Sequence, residues 1–231
     1  MRKYKHLFFD LDHTLWDYDS NVRDSLSELF IDFDLGSLGN PDFELFFDAF
    51  QITNHILWEQ FNKGVVDKDE LRAMRFKEVF TRAKLSVSKI PKELEEEFIL
   101  RTSSKPKVMD YAFETLDYLK SRYELHIITN GFNQSQYNKL KSSKLDSYFD
   151  LIVTSENSGF RKPDKRIFDH AMLHLKTEAI NCLMIGDNPL SDIQGAQNAD
   201  IDQVYYNPLK TESKISPTYT INHLSELTTI L

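Results

Sequence analysis

Short apolar segments alternate with segments of helical periodicity through the second half of this chain, and this alternation restricts the fold more than any other feature. Segments typical of strands lie at residues 124–129, 149–155, 181–186 and 203–206, with helix-like segments between them. One more apolar run lies near the N-terminus, at residues 5–11. Strands that alternate with helices are typical of an open parallel sheet covered by helices on both faces. The sequence therefore predicts an α/β fold, with residues 203–206 as its last strand and a terminal helix over residues 223–231.

Residues from about 16 to about 105 differ from the rest, because they carry apolar side chains at helical spacing without strand-like alternation. Asn21 or Ser20 is a suitable cap for the first helix of this block, and Pro41 fits the first turn of the second. The block interrupts the alternation directly after the first apolar run, so we interpret it as an insertion. We predict an α/β core formed by residues 1–15 and 106–231, with an all-helical domain of residues 16–105.

Charge and composition exclude several classes of protein. The formal net charge of −8 argues against a nucleic-acid backbone or an anionic membrane as the main partner. No apolar stretch approaches the length of a membrane span, and no secretory signal pattern is recognisable near the N-terminus. We therefore expect a cytoplasmic protein, present as a monomer or a weak homodimer, that acts on a small molecule.

Polar side chains follow four of the predicted strands at the point where each strand ends. Because the carboxyl ends of parallel strands meet at one edge of a sheet, these side chains are expected to lie near one another. Each group has a structural explanation when taken alone, as a helix cap, a turn residue or a solvated lysine. The groups are Asp10, Asp12 and Thr14; Thr129 and Asn130; Ser155 and Glu156, followed by Lys162; and Asp187 with Asp192.

Together these residue types suit phosphoryl transfer. A carboxylate such as Asp10 can attack phosphorus, and Asp12 points in the same direction on an extended chain, so it can act as general acid and base. The hydroxyl of Thr129 and the following backbone amides of Asn130 and Gly131 can hold phosphate oxygens at a strand-to-helix turn.

Positive charge at this edge of the sheet has two possible sources. Lys162 can screen the repulsion between a carboxylate nucleophile and a phosphate dianion. Asp187 and Asp192, together with Asp10, can bind Mg²⁺, which prefers a few carboxylates plus waters and substrate oxygens.

Four segments in this order resemble the motifs of the haloacid dehalogenase (HAD) superfamily, and the helical block is similar to its type 1 cap. The segments are Asp10-Leu-Asp-His-Thr-Leu, Ile-Ile-Thr129-Asn-Gly, Lys162-Pro and Ile-Gly-Asp187 with Asp192. The resemblance implies a Rossmann-like core and a phosphatase in which Asp10 is the nucleophile and Asp12 the acid and base. It also implies that Mg²⁺ is bound by Asp10, Asp187 and the backbone carbonyl of Asp12, with support from Asp192.

Segments around Trp16, Phe132 and Glu156 resemble the pyrimidine 5′-nucleotidase branch of that superfamily, as does the segment at residues 62–76. The resemblance implies a nucleoside monophosphate as substrate, with Trp16, Tyr18 and Phe132 as candidate contacts to the base. Two alternatives stay open at this point. One is a phosphatase for phosphoglycolate or a sugar phosphate, and the other is a signalling module that accepts a phosphoryl group and releases it slowly.

Overall fold

The computed structural model describes residues 3–39 and 42–231 of the chain. Within these residues a six-stranded sheet has the order β3-β2-β1-β4-β5-β6, and all of its pairings are parallel. The strands are β1 (His6–Phe9), β2 (Glu124–Thr129), β3 (Leu151–Thr154), β4 (Cys182–Gly186), β5 (Asp202–Tyr206) and β6 (Tyr219–Ile221). The helices are α1 (Tyr18–Asp32), α2 (Phe43–Asn62), α3 (Lys68–Arg82), α4 (Leu94–Ser103), α5 (Ala112–Lys120), α6 (Asn133–Ser142), α7 (Ser155–Ser158), α8 (Lys165–Leu175), α9 (Gln194–Asn198) and α10 (Leu227–Ile230).

The predicted fold class is confirmed: a parallel α/β sheet carries a helical cap inserted after its first strand. The chain divides into two compact units, one made of residues up to Tyr18 together with Pro106–Leu231, and the other of Asp19–Lys105. No helix in the described part of the chain is both long enough and apolar enough to cross a bilayer.

Both faces of the sheet in the first unit are covered by apolar contacts. On one face, Leu7 and Phe9 of β1 pack in a cluster that includes leucines of α5, α6 and α10. On the other face, Phe8 packs in a second cluster with side chains of α8 and α9. This alternation along β1 explains why a strand buried on both sides appears in the sequence as a continuous apolar run.

The helical unit has an aromatic core of its own. Phe50 lies 4.9 Å from Phe98 and 6.1 Å from Phe76, measured between ring centroids. Helix α3 begins with a capping box, in which the Asp67 side chain accepts from the backbone of Glu70 and the Glu70 side chain accepts from the Asp67 amide. Asp67 followed three residues later by Glu70 is the sequence pattern typical of such a box.

Several predicted boundaries differ from the structure. Helix α1 begins at Tyr18, so Ser20 and Asn21 both lie inside it and neither is its cap. The strand at Asp202–Tyr206 is not the last one, because β6 follows it; three residues are too few to give a recognisable pattern in sequence. The predicted helix start at Pro41 lies outside the described residues.

Two histidines are buried at the amino end of the central strands, and they make stability depend on pH. Burial and the neighbouring His6 imidazole lower the pKa of His126 to about 4, and burial lowers the pKa of His6. In the unfolded chain a histidine titrates near pH 6.5, so between about pH 6.5 and 4 the unfolded state binds more protons than the native state. Acidification through this range therefore removes stability.

We expect the free energy of unfolding in metal-free buffer to fall by about 3 kcal/mol through His126 between about pH 7 and 4, measured by urea denaturation. In a His126→Phe variant this part of the pH dependence should disappear, whereas an exposed-histidine control, His174→Gln, should keep it. A His126→Phe profile parallel to that of the wild type would contradict the assignment.

Candidate active site

Four polar segments converge at the carboxyl edge of the sheet, where the strand order reverses between β1 and β4. Asp10 directly follows β1, and Asp187 directly follows β4, its neighbour in the sheet. In open α/β sheets this reversal point is where a crevice forms and ligands bind.

Lys162 is fully buried, and its ammonium group lies between two carboxylates. Its Nζ is 2.5 Å from Asp10 Oδ1 and 2.7 Å from Asp192 Oδ1, and it donates a third hydrogen bond of 2.7 Å to the carbonyl oxygen of Ile128. Burial alone would lower the pKa of Lys162, but the two carboxylates raise it above its usual value. The lysine is therefore charged, and all three of its N–H donors are used.

Asp10, Asp187 and Asp192 form a cluster in which one oxygen from each carboxylate lies within 4.8 Å of the others. Burial raises the pKa of Asp10 well above its ordinary range, against the opposing effect of Lys162, and the charges of Asp192 and Asp187 raise it further. Burial and the neighbouring Asp192 also raise the pKa of Asp187 to about 7, although Thr14 donates a hydrogen bond of 3.0 Å to its Oδ1. One ammonium group does not neutralise three carboxylates.

Asp12 is held away from this cluster by two side chains of α6. Lys139 Nζ lies 2.6 and 2.8 Å from its two oxygens, and Gln136 Nε2 donates to Oδ2 at 3.0 Å. Burial alone would raise the pKa of Asp12, but Lys139 and Gln136 lower it overall, so the carboxylate is ionised in this arrangement.

Sequence reasoning missed both α6 residues. The sequence signal that could have found Gln136 and Lys139 is their spacing of three, which places both on one helix face soon after the Thr129-Asn-Gly segment. A Cβ at position 131 would lie 1.6 Å from Gln136 Nε2, so a larger residue there would displace the side chain that binds Asp12.

The Thr129-Asn-Gly segment stabilises the site through its own hydrogen bonds. Asn130 donates to the carbonyl of Lys162 at 2.9 Å and accepts from the Lys162 amide at 2.7 Å, so its side chain holds the Lys162 backbone. The Gly131 amide, expected to face a phosphate, instead donates to Thr129 Oγ1 at 3.1 Å. The side chains of Thr129 and Asn130 are both buried, so these hydrogen bonds are shielded from water.

The aromatic side chains predicted to contact a base are mostly enclosed. Trp16 is fully buried in the core cluster, and Lys139 Nζ lies 4.6 Å from its ring centroid, over the face that a base would need for stacking. We therefore correct the expectation for Trp16, which acts as a core residue. Tyr18 is partly buried beside His13, and Phe132 is buried; contact of either ring with a base stays a prediction.

Comparisons with known proteins identify the family to which this chain belongs. A family model described as haloacid dehalogenase-like hydrolase matches residues 7–205. The chain belongs to the haloacid dehalogenase-like hydrolases. It is 32% identical to the pyrimidine 5′-nucleotidase YjjG of Escherichia coli over 99% of this chain and 98% of that protein. It is also 31% identical to the pyrimidine 5′-nucleotidase PynA of Streptococcus pneumoniae, over 97% of this chain and 93% of that protein.

A solved structure of the HAD-hydrolase YfnB from Bacillus subtilis, bound to magnesium, superimposes with a TM-score of 0.89 at 30% identity, covering 99% of each chain. HAD hydrolases are hydrolytic enzymes that generally use Mg²⁺, and the residues of this chain fit that ion. The cluster of Asp10, Asp187 and Asp192 offers only oxygen donors, as Mg²⁺ prefers, and its excess negative charge favours a divalent cation. A Cβ at Gly186 would lie 2.3 Å from Asp192 Oδ2, so glycine there leaves room for the carboxylate.

The ion pair between Asp12 and Lys139 gives a prediction for this HAD hydrolase. A Lys139→Met variant leaves an ionised, mostly buried Asp12 with Gln136 alone, and we expect it to lose about 2 kcal/mol of stability to urea denaturation. The double variant Asp12→Asn/Lys139→Met should be less destabilised, because no buried charge remains. Lys141→Met, an exposed position on the same helix, is the matched control and should change stability by less than about 0.5 kcal/mol. Equal losses for the single and double variants would show that the pair is not coupled.

Proposed function

We propose that this HAD hydrolase is a Mg²⁺-dependent 5′-nucleotidase that removes phosphate from pyrimidine nucleoside monophosphates through an aspartyl-phosphate on Asp10. The observation that carries the chemistry is the position of Asp10 at the sheet reversal, with its carboxylate held by Lys162 and faced by Asp187 and Asp192. The substrate class is supported by the two pyrimidine 5′-nucleotidases that this chain resembles over nearly its whole length.

In the first step, an oxygen of Asp10 attacks phosphorus, and the bond between phosphorus and the ester oxygen of the nucleoside breaks. The departing oxygen takes a proton from Asp12. Asp12 has to gain that proton beforehand, and the negative charge of a bound phosphate favours this because it raises the pKa of a neighbouring carboxyl group. Lys162 counters the repulsion between Asp10 and the phosphate.

In the second step, Asp12 accepts a proton from water, and the water oxygen attacks phosphorus. The bond between phosphorus and Asp10 breaks, which releases phosphate and regenerates the carboxylate. Asp10, Asp187 and the backbone carbonyl of Asp12 would hold Mg²⁺, with support from Asp192. When bound there, Mg²⁺ would supply positive charge to neutralise and orient the phosphoryl group.

The roles proposed for Thr129, Asn130 and Gly131 differ from the phosphate-binding roles expected from the sequence. Asn130 acts as a positioning residue for Lys162, since both polar atoms of its side chain bind the Lys162 backbone. Thr129 can still donate its hydroxyl proton to a phosphate oxygen, because its recorded bond with the Gly131 amide uses it as an acceptor. The Gly131 amide reaches phosphate only if it leaves Thr129.

The division into a phosphatase core of residues 1–15 and 106–231 and a cap of residues 16–105 is part of this proposal. A cytoplasmic location, a monomer or weak homodimer, and action on a small molecule without a nucleic-acid or membrane partner stay predictions.

A substrate panel tests the proposal. Phosphate release is measured from UMP, dTMP, AMP, phosphoglycolate and a hexose phosphate, with Mg²⁺ and with excess EDTA. We expect the highest kcat/KM with UMP or dTMP, and loss of activity in EDTA. A higher kcat/KM for phosphoglycolate or the hexose phosphate would retain the phosphatase chemistry but contradict the substrate. Phosphorylation of Asp10 without repeated turnover on any of them would favour the signalling alternative.

A further inference from the structure

A second group of metal-ligating side chains lies at the opposite edge of the sheet from Asp10, and the proposed reaction does not use it. It consists of His6 at the start of β1 and Glu124 and His126 on the adjacent β2. His6 is directly paired with Glu124 in the strand register, and Phe8 is paired with His126. Asp10 lies four residues after His6, which is about 13 Å along an extended chain.

The distances from His6 to the other two donor groups are close to those of a tetrahedral metal site. His6 Nδ1 lies 3.1 Å from His126 Nε2 and 3.4 Å from Glu124 Oε2. Tetrahedral zinc with Zn–N bonds of about 2.0–2.1 Å places its ligand atoms about 3.3–3.4 Å apart. These two distances are close to that value, and the ligand atoms of the three residues all lie within 4.8 Å of one another.

Burial and charge also suit a metal ion. Both imidazoles are buried and neutral near pH 7. Their facing nitrogens share a hydrogen bond in which one ring donates, so an ion gains both lone pairs when that ring carries its proton on its other nitrogen instead. The Glu124 side chain is 47% exposed and gives an ion a route from solvent. Lys5, whose side chain is 66% exposed, contacts the other Glu124 oxygen at 3.2 Å and leaves Oε2 facing His6.

The surroundings set the expected strength of binding. The outward ring nitrogens, His6 Nε2 and His126 Nδ1, have no hydrogen-bond partner among the described residues. No acceptor therefore holds a proton on these two nitrogens, as metal binding through the facing nitrogens requires, and lack of such partners typically weakens metal sites by about 10–100-fold. The other charged groups near His126 are Asp150 and Lys120, which form an ion pair of 2.8 Å with each other. We expect an affinity weaker than that of a closed structural zinc site.

We propose that His6, Glu124 and His126 form a binding site for Zn²⁺ that joins β1 to β2 and leaves a fourth position to water. Two imidazoles and one carboxylate suit zinc, whereas the all-carboxylate cluster around Asp10 suits Mg²⁺. Because the ion would bind the native arrangement of two neighbouring strands, it should stabilise the fold. The proposal does not depend on the reaction assigned to Asp10.

Calorimetric titration of the full chain with Zn²⁺, in the presence of a large excess of Mg²⁺ to occupy the carboxylate cluster, tests this site. The wild type should bind one equivalent of Zn²⁺ and show a higher Tm with it. Glu124→Gln and His126→Gln should each weaken binding by at least about tenfold and lose the Tm increase. His174→Gln, an exposed histidine of the same unit, should bind as the wild type does.

Co²⁺ gives a second readout, since tetrahedral coordination by His6, Glu124 and His126 should produce a visible absorption band that Glu124→Gln removes. Lys5→Gln should tighten binding, because it frees Glu124 from a competing cation. Glu124 is partly exposed, so Glu124→Gln remains decisive if His126→Gln fails to fold. Absence of Zn²⁺ binding by the wild type in Mg²⁺, or equal affinity in the wild type and Glu124→Gln, would overturn the proposal.

Discussion

An Asp10→Asn variant is expected to fold normally and to release phosphate from a nucleoside monophosphate at least about a thousandfold more slowly than the wild type. The amide that replaces the carboxylate cannot attack phosphorus. Its oxygen can still accept the hydrogen bond that Lys162 donates to Asp10 in the wild type. Because the substitution removes one of three clustered negative charges, the Tm should be at least as high as that of the wild type.

The measurement is steady-state phosphate release, together with a thermal melt of the same preparation. Asp164→Asn is a matched control, because Asp164 caps helix α8 at the surface and asparagine caps equally well. The control should retain full activity. Substantial turnover by Asp10→Asn would exclude Asp10 as the nucleophile, whereas loss of activity accompanied by a large fall in Tm would show that its main role is structural.

A Lys162→Met variant is expected to lose both activity and stability. Methionine has a similar length but leaves Asp10 and Asp192 without the ammonium group that lies between them. Removing one partner from a buried ion pair costs about 3–5 kcal/mol, and we expect a loss of this size at neutral pH in denaturation experiments. Loss of charge stabilisation in the transition state should lower kcat by about 10²–10³-fold.

Mg²⁺ should recover part of the lost stability in Lys162→Met, because a divalent cation bound by the same carboxylates replaces the missing positive charge. Lys165→Met is the matched control, since Lys165 is 56% exposed and pairs with Asp169 at the surface. That substitution should change the free energy of unfolding by less than about 1 kcal/mol. A Lys162→Met protein as stable and as active as the control would contradict the assigned role.

The carboxylates at the strand ends were predictable because their signal is local. Asp10 and Asp187 each follow an apolar run, and a polar residue at the end of a buried parallel strand is exposed to the crevice by the strand geometry itself. The capping box of α3 was equally predictable, since Asp67 and Glu70 lie within one helical turn.

Contacts between distant parts of the chain were not predictable in the same way. Lys139 reaches Asp12 across 127 residues, and neither residue type in isolation specifies a partner. The same is true of His6 and His126, which are 120 residues apart and meet only because β1 and β2 pair in one particular register. For Trp16 the sequence suggested a contact that the structure does not support. Its position near the first motif suggested contact with a base, whereas its side chain packs in the core.

The sequence by itself determined the alternation of strands and helices as far as β5, the helical insertion and the identity of the carboxylates at the strand ends, since periodicity and strand-end position are properties of short segments. The tertiary structure alone decided which charges meet: Lys162 with Asp10 and Asp192, and Lys139 with Asp12. The physical reason is that a pKa or an ion pair depends on distance and burial. Only the parallel register of the folded sheet brings side chains from separate segments within 3 Å of each other.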